Sequence, residues 1–171
     1  NLPRGTSNTY AVGAFSGLAK GSGNATKPII IKGCSVKDST IGAANAAAGF
    51  IGYAYTQSVG IYNRRCVNKA ISVTATSNAN TAGFIAYTGG NDYLNTITIA
   101  NSYCTGVNPI PYLNEKFAEI TTFSNVYTNF AEYDNSTEGV KKLTDDQMKG
   151  QTANTNLQGF DFIRSWVIDE N

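Results

Sequence analysis

The sequence predicts an all-β fold: a parallel β-solenoid, or β-helix, of about three to four coils, closed by a C-terminal capping segment that contains one short helix. Three observations lead there. Two short elements recur in the same order three times along the 171 residues. Runs such as Ile71-Ser-Val73-Thr-Ala75-Thr76 and Thr96-Ile97-Thr98-Ile99 alternate with period two and carry β-branched residues at most positions, the pattern of a half-buried strand. Gly-Asn, Asn-Ala-Asn and Gly-Gly-Asn clusters separate the runs, which is turn chemistry.

The first recurring element reads Gly13-Ala14-Phe15-Ser16-Gly17-Leu18, then Ala48-Gly49-Phe50-Ile51-Gly52-Tyr53, then Ala82-Gly83-Phe84-Ile85-Ala86-Tyr87. Its Phe residues lie 35 and 34 positions apart. In a stack, matching residues sit one above another at a strand spacing of about 4.8 Å. Phe15, Phe50 and Phe84 therefore form an expected aromatic ladder, and the small Gly17, Gly52 and Ala86 are expected to leave room for the rings. The second element is Ile29-x4-Cys34, Ile61-x4-Cys66 and Ile99-x4-Cys104, followed seven residues later by Ile41, Val73 and, in the third copy, Pro111. The cysteines are expected as a second ladder of buried thiols, since lone Cys packs as a small hydrophobe and their spacing fits no CxxC metal site. The Ala-rich stretch from Ala43 to Ala48 is bracketed by Gly42 and Gly49, which favours strand over helix.

The last third differs. Pro109 and Pro111 interrupt the third copy, because Pro cannot sit in a central ladder. Ser124-Asn125-Val126-Tyr127 is a degenerate fourth copy of the Cys element. Thr144 is placed to cap a helix, Gln147 to close a capping box, and Leu143 with Met148 to form a hydrophobic staple. Gly150 is expected to end this helix. The run from Phe160 through Phe162 and Trp166 to Ile168 reads as a terminal strand whose aromatics seal the open end of the stack. The expected organisation is a repeat body over 1–112 and, in the same domain, a last coil and cap over 113–171.

Composition narrows the function. Charged residues are 15% of the chain, against about 25% in typical soluble domains. Up to Tyr112 there are eight basic and two acidic residues; from Leu113 onward there are five and ten. The net charge of +1 and the lack of a reading motif argue against nucleic acid. The chain has no His, which excludes Ser-His and Cys-His nucleophile systems and imidazole metal sites. No apolar run approaches the length of a membrane span. The start at Asn1 reads as a processed form or an excised fragment. Glycosidase chemistry needs two carboxylates across the scissile bond. The repeat body offers only Asp38 and Asp92, at non-matching positions. The tail carboxylates Asp134, Asp145, Asp146 and Asp161 include two that the helix start explains. No catalytic residue, metal site or cofactor is expected.

The Ala-Gly-Phe-Ile-Gly-Tyr and Ala-Gly-Phe-Ile-Ala-Tyr segments resemble the GLUG motif, a short Gly-hydrophobic-Gly repeat of bacterial surface and secreted proteins. Leu143-Thr-Asp-Asp-Gln-Met148-Lys, with Gly159-Phe160-Asp-Phe162 and Trp166-Val-Ile168-Asp-Glu170, is similar to the segment that closes GLUG arrays. The first copy departs from the motif at Ser16 and Leu18. The resemblance implies a β-solenoid in an extracellular, adhesin-like context and carries over no catalytic residues. The expected function is a non-catalytic extracellular module, structural or adhesive, within a longer polypeptide or surface assembly. A glycan or a cell-surface protein is the expected partner. The alternative is a carbohydrate-binding module. By strand parity Ile51, Tyr53 and Tyr55 face away from Phe50, and Ile85 with Tyr87 repeat that face, so Tyr53, Tyr55 and Tyr87 are candidate ligand residues. Lys32, Arg64 and Arg65 are candidates for a basic face, Lys32 and Arg64 each standing two residues before a Cys.

Overall fold

The computed structural model describes residues 11–20, 29–43, 45–55, 59–62, 67–69, 72–75, 81–89, 96–109 and 121–163. The chain is all-β, with one short α-helix, and among the described residues the strand pairing is parallel throughout. β1 (Ala11–Gly13), β6 (Ala46–Ala48) and β11 (Thr81–Ala82) form one sheet. β2 (Ser16–Lys20), β7 (Ile51–Tyr55) and β12 (Ile85–Gly89) form a second. β5 (Thr40–Ala43) pairs with β10 (Ser72–Ala75). The longest sheet runs β3 (Ile29–Lys32), β8 (Val59–Tyr62), β13 (Ile97–Cys104), β14 (Thr121–Thr128) and β15 (Val140–Lys142). β4 (Ser35–Lys37) joins it through β9 (Val67–Lys69), which also pairs with β13. Each pairing links one copy to the next.

The aromatic ladder forms as the repeat spacing requires. Phe15 and Phe50 stack at 5.0 Å and 8°, and Phe50 and Phe84 at 5.9 Å and 20°. The chain bends at each Phe, and the bend stays hydrogen-bonded between copies. The N–H groups of Phe15 and Ser16 both donate to Phe50 O, at 3.1 Å each. Those of Phe50 and Ile51 donate to Phe84 O, at 3.3 and 2.9 Å. The bend also corrects the parity argument: Ile51 and Ile85 are fully buried in the same core as Phe50 and Phe84. The alternation starts after the bend, with Ala54 inward and Tyr53 half-buried.

The small residues of the motif serve a different purpose from the one expected. A Cβ on Gly52 would lie 2.6 Å from Val12 N and 2.8 Å from Ala11 C, and one on Gly17 would lie 2.8 Å from Ala11 O. They admit the backbone of β1, not the rings. Ala46, Ala48 and Ala86 make a separate small cluster with Ala11 on this seam. Ala46–Ala48 is strand, as the bracketing glycines implied.

The register of the Ile-x4-Cys element differs by two residues in the first copy. Ile31, Ile61 and Ile99 share one column, and Ile29, Val59 and Ile97 another. A slip of two keeps the same residues inward, so strand parity alone permits either register. The observed one aligns two apolar columns; pairing Ile29 with Ile61 would instead set Ile31 against Asn63. β14 continues both columns, with Thr121 beside Ile97 and Phe123 beside Ile99.

The closing segment keeps its capping box but ends differently. The Thr144 N–H donates to Gln147 Oε1 at 2.9 Å, and the Gln147 N–H donates to Thr144 Oγ1 at 3.2 Å. This caps only a 3-10 turn, Asp146–Met148. Gly150, at φ +53°, directly follows the C-cap Lys149 and ends this turn as expected, and an unexpected α-helix, α1 (Gly150–Asn156), starts there. Phe160 lies outside any strand, and Phe162 sits in a turn. Phe160 packs with Tyr127, Leu143, Ala153 and Leu157, its ring 5.8 Å from Tyr127 and 6.2 Å from Tyr103. Tyr103 and Tyr127 are register partners, and Tyr127 alternates with the core residues Val126 and Thr128. Phe160 therefore covers the outer face of the sheet rather than the end of the stack. Trp166 and Ile168 lie outside the described residues.

Replacing Gly52 with Ala is expected to destabilise the chain by about 1–3 kcal/mol, the range for overpacking a filled interior. At about 2–4 °C per kcal/mol for a chain of this size, calorimetry will read this as a clear fall in Tm. Gly42→Ala is the control, because its Cβ would meet only Thr74 Oγ1, at 3.6 Å.

Candidate interaction surface

Register decides which of the candidate side chains meet. Leu18, Tyr53 and Tyr87 are paired across β2, β7 and β12. Leu18 is 52% exposed and Tyr87 42%, while Tyr53 is half-buried between them. The Tyr53 and Tyr87 rings lie 5.1 Å apart at 48°. At that distance each ring covers part of its neighbour, so the stripe presents tilted edges more than open faces. Tyr55 continues the strand, its backbone paired with Lys20 and Gly89, but its side chain lies outside the described residues. Leu18 belongs to this stripe and was not among the candidates. Its signal was its place in the motif, opposite Tyr53.

Of the expected basic face only Lys32 is among the described residues. Lys32 is exposed, but its partner in the ladder is Tyr62, not Arg64. The two-residue shift of the first copy is the reason. Arg64 and Arg65 lie outside the described residues, as do Cys66 and Asp92.

The cysteines do not form one column. Ser35 pairs with Val67 and Val67 with Tyr103, so Cys104 falls two residues beyond the place of Cys34. Cys104 instead aligns with Asn68 and, through β9, with Val36. It is fully buried, lies 3.5 Å from Val107 O and 3.7 Å from Thr128 Oγ1, and burial pushes its thiol from 9.0 up to about 12. Cys34 is half-buried, and its thiol donates to Lys32 O at 3.2 Å. Both are free thiols.

One feature escaped the sequence reading. Asn101 and Asn125 sit at the same corner of successive strands, both left-handed at φ +44° and +51°. Asn125 Nδ2 donates to Asn101 Oδ1 at 2.9 Å. Gly33 and Gly139 occupy this corner in other copies, at φ +64° and +78°. Asn and Gly share it because both tolerate the left-handed region. The signal was the Asn two residues after Ile99 and after Phe123. Gly159, at φ +81°, rests against both amides and fastens the closing segment there. Beside it a shallow cleft of about 460 Å³ is lined by Asn125, Tyr127, Asn135, Lys141 and Gln158 among others.

Among the described residues no group of three His, Cys, Asp or Glu side chains is placed to hold a metal. No described helix is long and apolar enough to cross a membrane.

Alkylation of the native chain followed by peptide mapping is expected to modify Cys34 and to spare Cys104 until the chain is unfolded. Stability should also fall on alkaline titration. Between pH 9.0 and about 12 native Cys104 keeps its proton while the unfolded thiol loses it. The folded state then binds more protons, and unfolding becomes easier as pH rises. Tyr103, pushed by burial from 10.0 to about 12, adds to the same trend. Denaturant midpoints measured across this window check it, and Cys104→Ala should flatten the fall.

Comparisons of the chain with protein-family models, with curated proteins and with solved structures find no significant match to any of the three.

Proposed function

We propose that the chain is a GLUG-type parallel β-solenoid of three or four coils, and that it works as a non-catalytic extracellular module, structural or adhesive, of a bacterial surface or secreted protein. In this reading 1–112 is the repeat body, and 113–171 supplies the last coil and a cap in the same domain. The observation that carries it is the use made of the recurring residues. Phe15, Phe50 and Phe84 stack on one another, Gly17 and Gly52 admit a neighbouring backbone, and the paired isoleucines align in columns. Every recurring position so placed holds one copy against the next. A repeat built this way supports length and a regular outer surface, which is what a stalk or adhesive array requires. The GLUG resemblance supports the extracellular setting. Antibody labelling of intact source cells tests it. Labelling without permeabilisation is expected; labelling only after permeabilisation overturns the reading.

A second reading is favoured by the exposed Leu18–Tyr53–Tyr87 stripe: a carbohydrate-binding module whose tyrosines contact sugar. A glycan array distinguishes the two. Under this reading Tyr87→Ala weakens a detected glycan by about tenfold, equivalent to about 1.4 kcal/mol. Unchanged binding in that variant excludes the stripe as the sugar site.

A further inference from the structure

The long sheet runs out at β15, which among the described residues pairs with β14 alone. A last strand presents a row of N–H groups with no further strand to receive them, the feature that recruits other strands. The bonds that β15 makes identify these groups. Gly139 O accepts from the Val126 N–H at 3.0 Å, and the Leu143 N–H donates to Thr128 O at 2.8 Å. N–H groups alternate between the two sides of a strand, so those of Val140 and Lys142 point away from β14.

Both already have partners. The Val140 N–H donates to Thr137 O at 3.2 Å, and the Lys142 N–H donates to Asn135 Oδ1 at 2.7 Å. Lys142 Nζ is engaged with the carbonyl of Ala131. All three acceptors lie in 129–139, the connection from β14 to β15. That connection is anchored in the core. Tyr133 is buried in the main cluster with Val126 and Val140, and Phe130 packs against the same cluster. The Tyr133 hydroxyl donates to Thr137 O at 3.4 Å and accepts from the Thr137 N–H at 3.2 Å. Asp134 Oδ1 accepts from the Ser136 N–H at 3.0 Å. Asn135 is left-handed at φ +61°, which Asn tolerates better than most residues.

We propose that residues 129–139 are an edge guard, which keeps any further strand, of a second copy or of a longer polypeptide, from pairing with β15. Thr137 O and Asn135 Oδ1 take the two outward N–H groups that an added parallel strand would need. Tyr133 and Phe130 cover the core beside them. Covering an edge in this way is how β proteins avoid edge-to-edge association. The sealing role expected of the C-terminal aromatics thus falls to the connection that precedes β15, while Phe160 rests on the outer face. The inference goes beyond the module reading: it assigns where strand addition stops, whichever role the module has.

Hydrogen exchange read at single amides, with sedimentation velocity on the same samples of the full chain, tests it. The Val140 and Lys142 amides should be protected in the native chain. Asn135→Gly keeps the left-handed backbone and removes the acceptor; Asn135→Asp keeps an acceptor in the same place. The Lys142 amide should exchange about tenfold faster in N135G, a loss of about 1.4 kcal/mol, and at the native rate in N135D. The Leu143 amide, bonded to Thr128 O, should stay protected in every variant and so report an intact sheet. N135G/K142A also removes the tie to Ala131. It should associate more strongly than the native chain, and its Lys142 amide should regain protection as concentration rises, because an added strand now receives it. An unprotected Lys142 amide in the native chain overturns the proposal. So does an equal loss in N135D, an equal loss at Leu143, or association of N135G/K142A no stronger than native. Surface labelling of cells reads the module hypothesis independently of these outcomes.

Discussion

The parallel pairing of each copy with the next sets the terms for the rest of the molecule. Residues in register lie about 4.8 Å apart, which is close to the thickness of an aromatic ring with its contact shell. A residue therefore meets its own equivalent before it meets anything else. Phe over Phe is favourable in that geometry, and the measured separations of 5.0 and 5.9 Å are those of rings in contact. Asn over Asn is favourable too, because an amide donates and accepts, as Asn125 does toward Asn101. Lys over Lys is unfavourable by like-charge repulsion; β7 and β8 end in Tyr55 and Tyr62 where their first-copy partners end in Lys20 and Lys32, but β4 and β9 pair Lys37 with Lys69.

The same constraint explains the corners. A strand that leaves one sheet and enters the next must bend without losing its hydrogen bonds to the copies on either side. At the Phe corner one carbonyl receives two N–H groups from the preceding copy. At the Asn corner the backbone turns left-handed, and only Gly and Asn occupy it in the described copies. The core runs uninterrupted from Ala19 and Val36 through Phe84 and Ile99 to Val126 and Val140, and beside it the buried Thr121 Oγ1 has no hydrogen-bond partner among the described residues. The closing segment is fastened outside that core. Its contacts are Phe160 on Tyr103 and Tyr127, and Gly159 on the Asn pair.

Of the candidate surface, one pair was legible in the sequence, and only because the spacing between its elements was constant. Tyr53 and Tyr87 come together because each stands three residues after its Phe, and nothing is inserted in between. Lys32 and Arg64 were aligned through their cysteines, and that alignment failed in the ladder, where Lys32 meets Tyr62. Cys34 and Cys104 were aligned through isoleucines, and the two-residue slip separated them. A slip of two leaves strand parity intact, so a reading based on alternation is blind to it.

The sequence by itself determined the β class, the Phe ladder and the capping box at Thr144, because each depends on local chemistry or on a strict period. Tertiary structure decided the register of the first copy, the burial of Ile51 and Ile85 behind the bend, the backbone contact that Gly52 admits, and the seat of Phe160 on the outer face. These depend on which two distant segments lie side by side. A linear pattern states which residues want to be buried; it does not state which neighbour buries them, since several registers satisfy the same preference and only the summed packing of whole columns separates them.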